Sequence, residues 1–228
     1  VFCASLADVF EDREELRKWR YELFSLIADT PALDWLLLTK RPENIVRLWP
    51  HDWIAPDADM WPHVWLGTTV ENQEMADKRI PELLKIPAVV RFLSCEPLLG
   101  PIDVSRYLRC ESCLDPSTCW CADPRVNWVI TGGESGPNAR PSHPDWFRAL
   151  RDQCLDAHVA YFHKQNGEWW PSNYDASSPE WIVASKVSTA GQNLDHNGSV
   201  ASMFRVGKKV AGRLLDGVEY SAFPEVVQ

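Results

Sequence analysis

Val64-Trp65-Leu66-Gly67-Thr68-Thr69-Val70-Glu71-Asn72 is an apolar run that closes on an acid and an amide. A short run with no polar alternation reads as a strand buried on both faces, as strands of parallel sheets are. The same form recurs on both sides of it. Upstream stand Val1-Phe2-Cys3-Ala4-Ser5-Leu6-Ala7-Asp8 and Trp35-Leu36-Leu37-Leu38-Thr39-Lys40-Arg41. Downstream stand Val90-Arg91-Phe92-Leu93-Ser94-Cys95-Glu96-Pro97, Trp128-Val129-Ile130-Thr131-Gly132-Gly133-Glu134-Ser135 and Tyr161-Phe162-His163-Lys164-Gln165. Parallel strands of a β/α barrel carry their active site at their C-terminal ends, where each of these runs turns polar. The repetition decides the reading, since no single run is diagnostic.

Helical patterns lie between the runs. From Glu11 to Ala28, Leu16, Trp19, Leu23 and Ile27 recur at helical spacing, with Asp8 or Asp12 as its cap. Pro42 opens a short helical stretch with Ile45, Val46 and Leu48. Met75, Ala76, Ile80, Leu83 and Leu84 predict another helix, broken or restarted at Pro81. A further one runs from Pro144 to Ala157, with Trp146, Leu150 and Cys154 on one side. Strand and helix alternate as right-handed βαβ units. The expected fold is α/β: an incomplete (β/α) TIM-like barrel of parallel strands over residues 1–167. An open doubly wound sheet is the alternative, but it would gather its polar groups at one switch point.

Two segments break the rhythm. Residues 106–126 form a Cys-rich insertion, and residues 168–228 form a C-terminal extension with a small β element. Asp216-Gly217 predicts a hairpin turn in that extension. Asn197-Gly198-Ser199 fits a glycosylation acceptor and is read as a turn.

The composition, 45% hydrophobic and 24% charged, is that of a folded globular protein, and several of the twelve Trp are expected in its core. A net charge of −9 argues against nonspecific binding to a nucleic-acid backbone, though not against a local basic pocket. No run has the length of a membrane span and no signal peptide is visible, so the expected location is cytoplasmic. The seven Cys, four of them between positions 110 and 121, do not form the disulfide framework of a small secreted domain. The chain starts at Val1 inside a strand-like run, as expected of a fragment or a truncated reading frame.

Thr131-Gly132-Gly133-Glu134-Ser135-Gly136 is the sharpest motif. Glycines at a strand end let a ligand approach the backbone, and the amides of Gly132 and Gly133 can meet an anion while Glu134 meets an amine or hydroxyl. A tight βα turn is the plainer account, and nearby Arg140 and His143 weigh against it. Glu96 at the end of its strand is a candidate general base, whereas Cys95 reads as a small buried hydrophobe. Lys40 and Arg41 either hold a phosphate or carboxylate or form surface ion pairs. Glu71, Asn72, Lys164 and Gln165 extend the polar rim, and Asp8 is either a rim residue or a cap, the cap being favoured. Cys110, Cys113, Cys119 and Cys121 offer four thiols for a structural zinc ion, although the last Cys-x-Cys is tighter than usual. A variable loop with incidental Cys is the alternative.

Leu37-Leu38-Thr39-Lys40-Arg41-Pro42-Glu43, Val64 to Gln73, Arg91 to Gly100, Gly132 to Gly136, His143-Pro144-Asp145-Trp146 and Gly207-Lys208-Lys209 to Asp216-Gly217 together carry a resemblance. The chain resembles a phage and prophage family of unknown function, described as phage gene products thirty-seven and sixty-eight. That family looks like a divergent relative of radical S-adenosylmethionine enzymes, with a three-cysteine motif near the N-terminus. The resemblance implies an iron–sulfur cluster and S-adenosylmethionine, provided that the three-cysteine region precedes Val1. Here Cys3, Cys95 and Cys154 are scattered. It also implies that a Gly-Gly-Glu strand end holds the methionine amine, or faces the substrate. Glu96 and Glu134 are the expected catalytic carboxylates. Lys40, Arg41, Glu71, Asn72, Gly132, Gly133, Arg140, Lys164 and Gln165 are the expected substrate or cofactor contacts. Two further readings stand beside this one. The first is a cluster-free barrel enzyme acting on a phosphorylated or nucleotide substrate. The second is a non-catalytic module with a zinc loop and a partner protein.

Overall fold

The computed structural model describes residues 2–3, 8–50, 61–109, 124–171 and 190–225. Six strands form one sheet: β1 (Phe2–Cys3), β2 (Trp35–Thr39), β3 (Val64–Thr69), β4 (Arg91–Cys95), β5 (Trp128–Gly132) and β6 (Ala160–Gln165). All neighbours are parallel and follow chain order, with Trp35 opposite Val64 and Phe92 opposite Trp128. No strand order reverses, so the switch point of a doubly wound sheet is absent from the described strands.

The helices are α1 (Arg17–Asp29), α2 (Ile45–Leu48), α3 (Gln73–Leu84), α4 (Ser105–Leu108) and α5 (Pro144–Asp156). Right-handed crossovers in a strictly sequential sheet carry every helix to the same face. The packing follows that rule. Phe24, Ile27, Ile45, Ile80, Leu83, Leu108, Phe147 and Leu150 from the helices share one core with the alternate strand residues Leu37, Leu66, Leu93, Val129 and Tyr161. The other strand residues, Leu36, Trp65, Phe92 and Trp128 with half-buried Leu38, Ile130 and Phe162, form a separate cluster that contains no helical residue. Gly67 makes room on that face: a Cβ there would lie 2.3 Å from the Phe92 ring.

Three expectations about the helices are corrected. In α1 the buried positions are Arg20, Phe24 and Ile27, and Trp19 is 64% exposed. Arg20 takes the inward position because its Nε donates to Val9 O at 2.7 Å and its Nη2 to Glu11 O at 2.8 Å. Neither Asp8 nor Asp12 caps the helix, whose N-cap Leu16 is the last residue of a 3-10 turn over Glu14–Leu16 and has no side-chain cap. Asp12 pairs with Arg47 at 2.8 Å. Helix α3 runs unbroken through Pro81, held on either side of the missing N–H by buried Ile80 and Leu83. Asn72 caps α3 by accepting from Met75 N at 3.0 Å, and His143 caps α5 by accepting from Asp145 N at 3.1 Å.

The C-terminal region adds a small antiparallel sheet in the order β7 (Trp169–Pro171), β9 (Ser199–Arg205), β8 (Ala190–His196), followed by α6 (Lys208–Ala211). Asn197 and Gly198 turn the β8–β9 hairpin, both with positive φ. Asp216 and Gly217, at φ 56° and 76°, turn the chain between paired Leu215 and Val218. The chain then runs antiparallel along β6: His163 N donates to Tyr220 O at 2.9 Å and Ala222 N to Tyr161 O at 3.2 Å. The free edge of β6 is thereby covered.

Candidate functional site

Side chains alternate across a strand, so the residues facing the helix-free side can be followed upward. On β4 they are Phe92, Ser94 and then Glu96; on β6 they are Phe162 and Lys164. These residues, with Leu36, Leu38, Trp128, Ile130 and Phe223, line a cavity of about 420 Å³. Its walls are apolar, and its polar groups are Ser94, Glu96 and Lys164. Lys164 Nζ donates to Glu96 Oε2 at 2.9 Å, and Gln165 Nε2 donates to Glu96 Oε1. The carboxylate is 17% exposed and the lysine 53%, so the pair turns its cation outward. Gly132 makes this placement possible, because a Cβ there would lie 3.0 Å from Glu96 Cγ, Cδ and Oε1.

A second charged group, of three residues, stands by the adjoining strand ends. Lys40 Nζ and Arg79 Nη1 each donate to Glu71 at 2.8 Å. Burial pushes the Glu71 pKa up, but the Lys40 hydrogen bond and the Arg79 charge outweigh it and hold the carboxyl below its ordinary value. The segment after β4 crosses these strand ends, with Leu99 N bonded to Glu71 O and Leu98 N to Gly132 O. Ser142 Oγ fixes that segment by donating to Leu98 O at 2.6 Å.

The remaining expected site residues are engaged elsewhere. Glu134 accepts three bonds of 2.8 Å from the backbone N, Nε and Nη2 of Arg140. That hydrogen bonding, opposed by partial burial, lowers the Glu134 pKa. Gly133 N donates to Gln165 O at 2.9 Å, and a Cβ on Gly133 would lie 2.2 Å from Asn166 O. The glycine pair therefore serves close packing between the ends of β5 and β6, with the Gly133 amide already bonded within the chain. Arg41 binds Asp8 at 3.0 Å and Glu11 at 3.2 Å. Asp8 also accepts from Thr39 Oγ1 at 2.6 Å and Lys40 N at 2.9 Å, so it ties its loop to the end of β2. Asn72 is the cap of α3. Cys110, Cys113, Cys119 and Cys121, proposed as zinc ligands, lie outside the described residues.

Sequence reasoning missed Ser94, Arg79 and Phe223. Ser94 was accessible by alternation, two residues before Glu96 on the same face. Arg79 lies eight residues beyond Glu71, within reach only once α3 is built. Nothing in the sequence places Phe223, whose ring centroid stands 4.9 Å from that of Trp128 and 5.6 Å from that of Phe162.

The cluster implied by the resemblance would need cysteine thiolates as ligands. Cys95 and Cys154 are free and buried. Burial pushes both thiols up, Cys154 to about 12, which suits core packing and opposes the thiolate form a cluster needs. Among the described residues no three His, Cys, Asp or Glu side chains stand together as metal ligands. Glu134, bound by Arg140, does not present a free carboxylate to an amine. The described residues thus supply no ligand set for an iron–sulfur centre. Among them, no helix is long and apolar enough to cross a membrane.

Fold and site together define an α/β protein with a sequential parallel sheet, helices on one face and a charged-rimmed cavity on the other. The chain belongs to a family described as "Protein of unknown function (DUF5131)", which matches residues 1–224. No curated protein and no solved structure matches it.

Proposed function

We propose that the sheet is the wall of an incomplete β/α barrel and that the protein is an enzyme acting by general acid–base chemistry on a small organic molecule. The single observation that carries this reading is the cavity of about 420 Å³ whose apolar walls end at the Glu96–Lys164 pair. Concave apolar sites with a few convergent polar groups are the usual form of small-molecule sites. The sequential strand order and the one-sided helical layer support the barrel, as does the resemblance to radical S-adenosylmethionine enzymes. No step of this chemistry needs a cluster. The apolar part of the substrate packs on Phe92, Trp128, Ile130 and Phe162. Its polar head meets the rim, where Glu96 takes a proton and the Lys164 ammonium balances the charge that develops on a substrate oxygen.

A panel of small aromatic ketones and amides tests this reading by ligand-observed and protein-observed NMR in deuterated water. The expected result is binding, with deuterium entering the position beside the carbonyl of at least one compound. Glu96→Gln should slow that exchange by about 100-fold or more while the compound still binds. Exchange unaffected by Glu96→Gln, or ligands that leave the resonances of Ile130 and Phe162 unmoved, would overturn it.

A further inference from the structure

Beside the cavity lies a second recess of about 450 Å³, and Lys164 lines both. Its other walls are Gln165, Lys208, Lys209, Gly212 and Arg213. Four cations thus meet around one hollow, in a chain with 32 acidic and 23 basic residues. No carboxylate lines the hollow. Lys164 and Arg213 each have a carboxylate neighbour, Glu96 at 2.9 Å and Glu219 at a longer 3.4 Å. Lys208 and Lys209 are exposed, and neither forms an ion pair among the described residues. Four cations stand here against two carboxylates, and the excess positive charge at Lys208 and Lys209 favours an anion.

The backbone that carries the cations is rigidly held. Asn166 N donates to Gly212 O at 2.9 Å, and Asn166 Nδ2 to Ala211 O at 2.8 Å and Leu214 O at 3.1 Å. Gly207 and Gly212, both with positive φ, bracket the turn, and Ala211 is buried with Trp170 and Val206. Arg213 lies over the Phe162 ring with Cζ 5.3 Å from its centroid, so one residue touches both the recess and the cavity wall. Its Nε and Nη2 are buried and make no hydrogen bond among the described residues.

We propose that the recess between Lys164, Lys208, Lys209 and Arg213 binds the phosphate group of a phosphorylated small molecule whose apolar part lies in the adjoining cavity. The second half of this assignment rests on the reading of the cavity as the substrate site; the phosphate site does not. A small ligand is favoured over a polymer because the cations gather at one recess beside the cavity and the chain is acidic overall.

Amide-resolved NMR titration of the full chain tests it, with inorganic phosphate and with adenosine 5′-monophosphate as probes. Phosphate should shift the amides of Lys208, Lys209 and Gly212 in a saturable way. The double substitution Lys208→Gln, Lys209→Gln should weaken that binding by about tenfold or more while leaving the rest of the spectrum unchanged. The nucleotide should shift these amides and also those of Ile130 and Phe162. Phosphate binding at the recess with a nucleotide that never reaches the cavity would keep the anion site and sink the joint substrate. No saturable shift with either probe, or binding indifferent to the double substitution, would overturn the proposal. So would a single-stranded oligonucleotide that binds far more tightly than both probes and loses that binding in the double variant.

Discussion

His163 shows how one buried side chain can govern a fold. It is fully buried, with Nδ1 2.9 Å from Thr131 Oγ1 and Nε2 3.0 Å from Asn166 Oδ1. Asn166 Nδ2 is engaged with Ala211 O and Leu214 O, so its Oδ1 faces the ring and Nε2 must carry the proton. Nδ1 is then bare and accepts from the Thr131 hydroxyl. Burial pushes the His163 pKa down from 6.5 to about 4, with the Asn166 hydrogen bond opposing and the Arg213 charge adding to the fall. Between these values the unfolded chain holds more protons than the folded one. Stability is therefore complete above the unfolded value and is lost as pH falls toward the folded value, by roughly 3 kcal/mol across the window. Carboxylates held low by arginines, such as Asp216 and Glu134, lose their contribution only below their ordinary 3.8 and 4.5. Urea unfolding at steps through the window should show the midpoint falling in the wild type. His163→Gln should start less stable and show a flatter profile; an equal slope in both proteins would contradict the assignment.

At the scale of elements, the contact between α5 and the C-terminal turn decides how the sheet edge is covered. Arg148 Nη2 and Arg151 Nη1 reach Asp216 at 2.6 and 3.0 Å, and Arg148 also holds Asp145. Asp216 sits at φ 56°, a conformation that Asp and Asn tolerate better than most residues. Asp216→Asn therefore keeps the turn and removes the charge. A partly exposed pair of this kind is worth about 1 kcal/mol, seen as a drop of a few degrees in Tm. Hydrogen exchange should rise at His163 and Ala222, whose amides bond along that edge, while exchange within β3 and β4 stays unchanged. Uniform acceleration would mean global destabilisation instead. Much of this level was legible in the sequence. Strands β2 to β5 follow the apolar runs because burial on both faces leaves no alternation to misread, and β6 alternates between buried and more exposed positions. The α1 face was misread because Arg20 turns inward to carbonyls that no hydrophobic pattern reveals. The interruption expected at Pro81 did not arise because packing on either side outweighs a lost hydrogen bond.

At the scale of the whole molecule, the rim was legible and its pairing was not. Glu96, Lys164, Lys40 and Glu71 stand at strand ends, where the polar terminations placed them, but which acid meets which base depends on the spacing of neighbouring strands. Phe223 is the extreme case: a residue near the chain end forms a wall of a cavity built by β2, β4, β5 and β6. Its place follows from the segment that pairs with β6, in which Trp128 Nε1 donates to Ala222 O at 2.9 Å and the Phe223 ring rests on Trp128 and Phe162. One short segment thus does two things, covering a sheet edge and closing a cavity, and two variants separate them. Phe223→Ala leaves the backbone pairing intact and opens the cavity. It should loosen binding of a small aromatic probe without changing the sedimentation of the protein. A chain ending at Glu219 loses the pairing as well. It strands the Trp128 N–H at a cost of about 1–3 kcal/mol and bares the β6 edge, a template for strand addition from another copy. Its sedimentation coefficient should rise with concentration more steeply than that of the full chain. Should both variants sediment like the full chain, the segment does not guard the edge; should only Phe223→Ala associate, exposed apolar surface rather than an unpaired edge drives the contact.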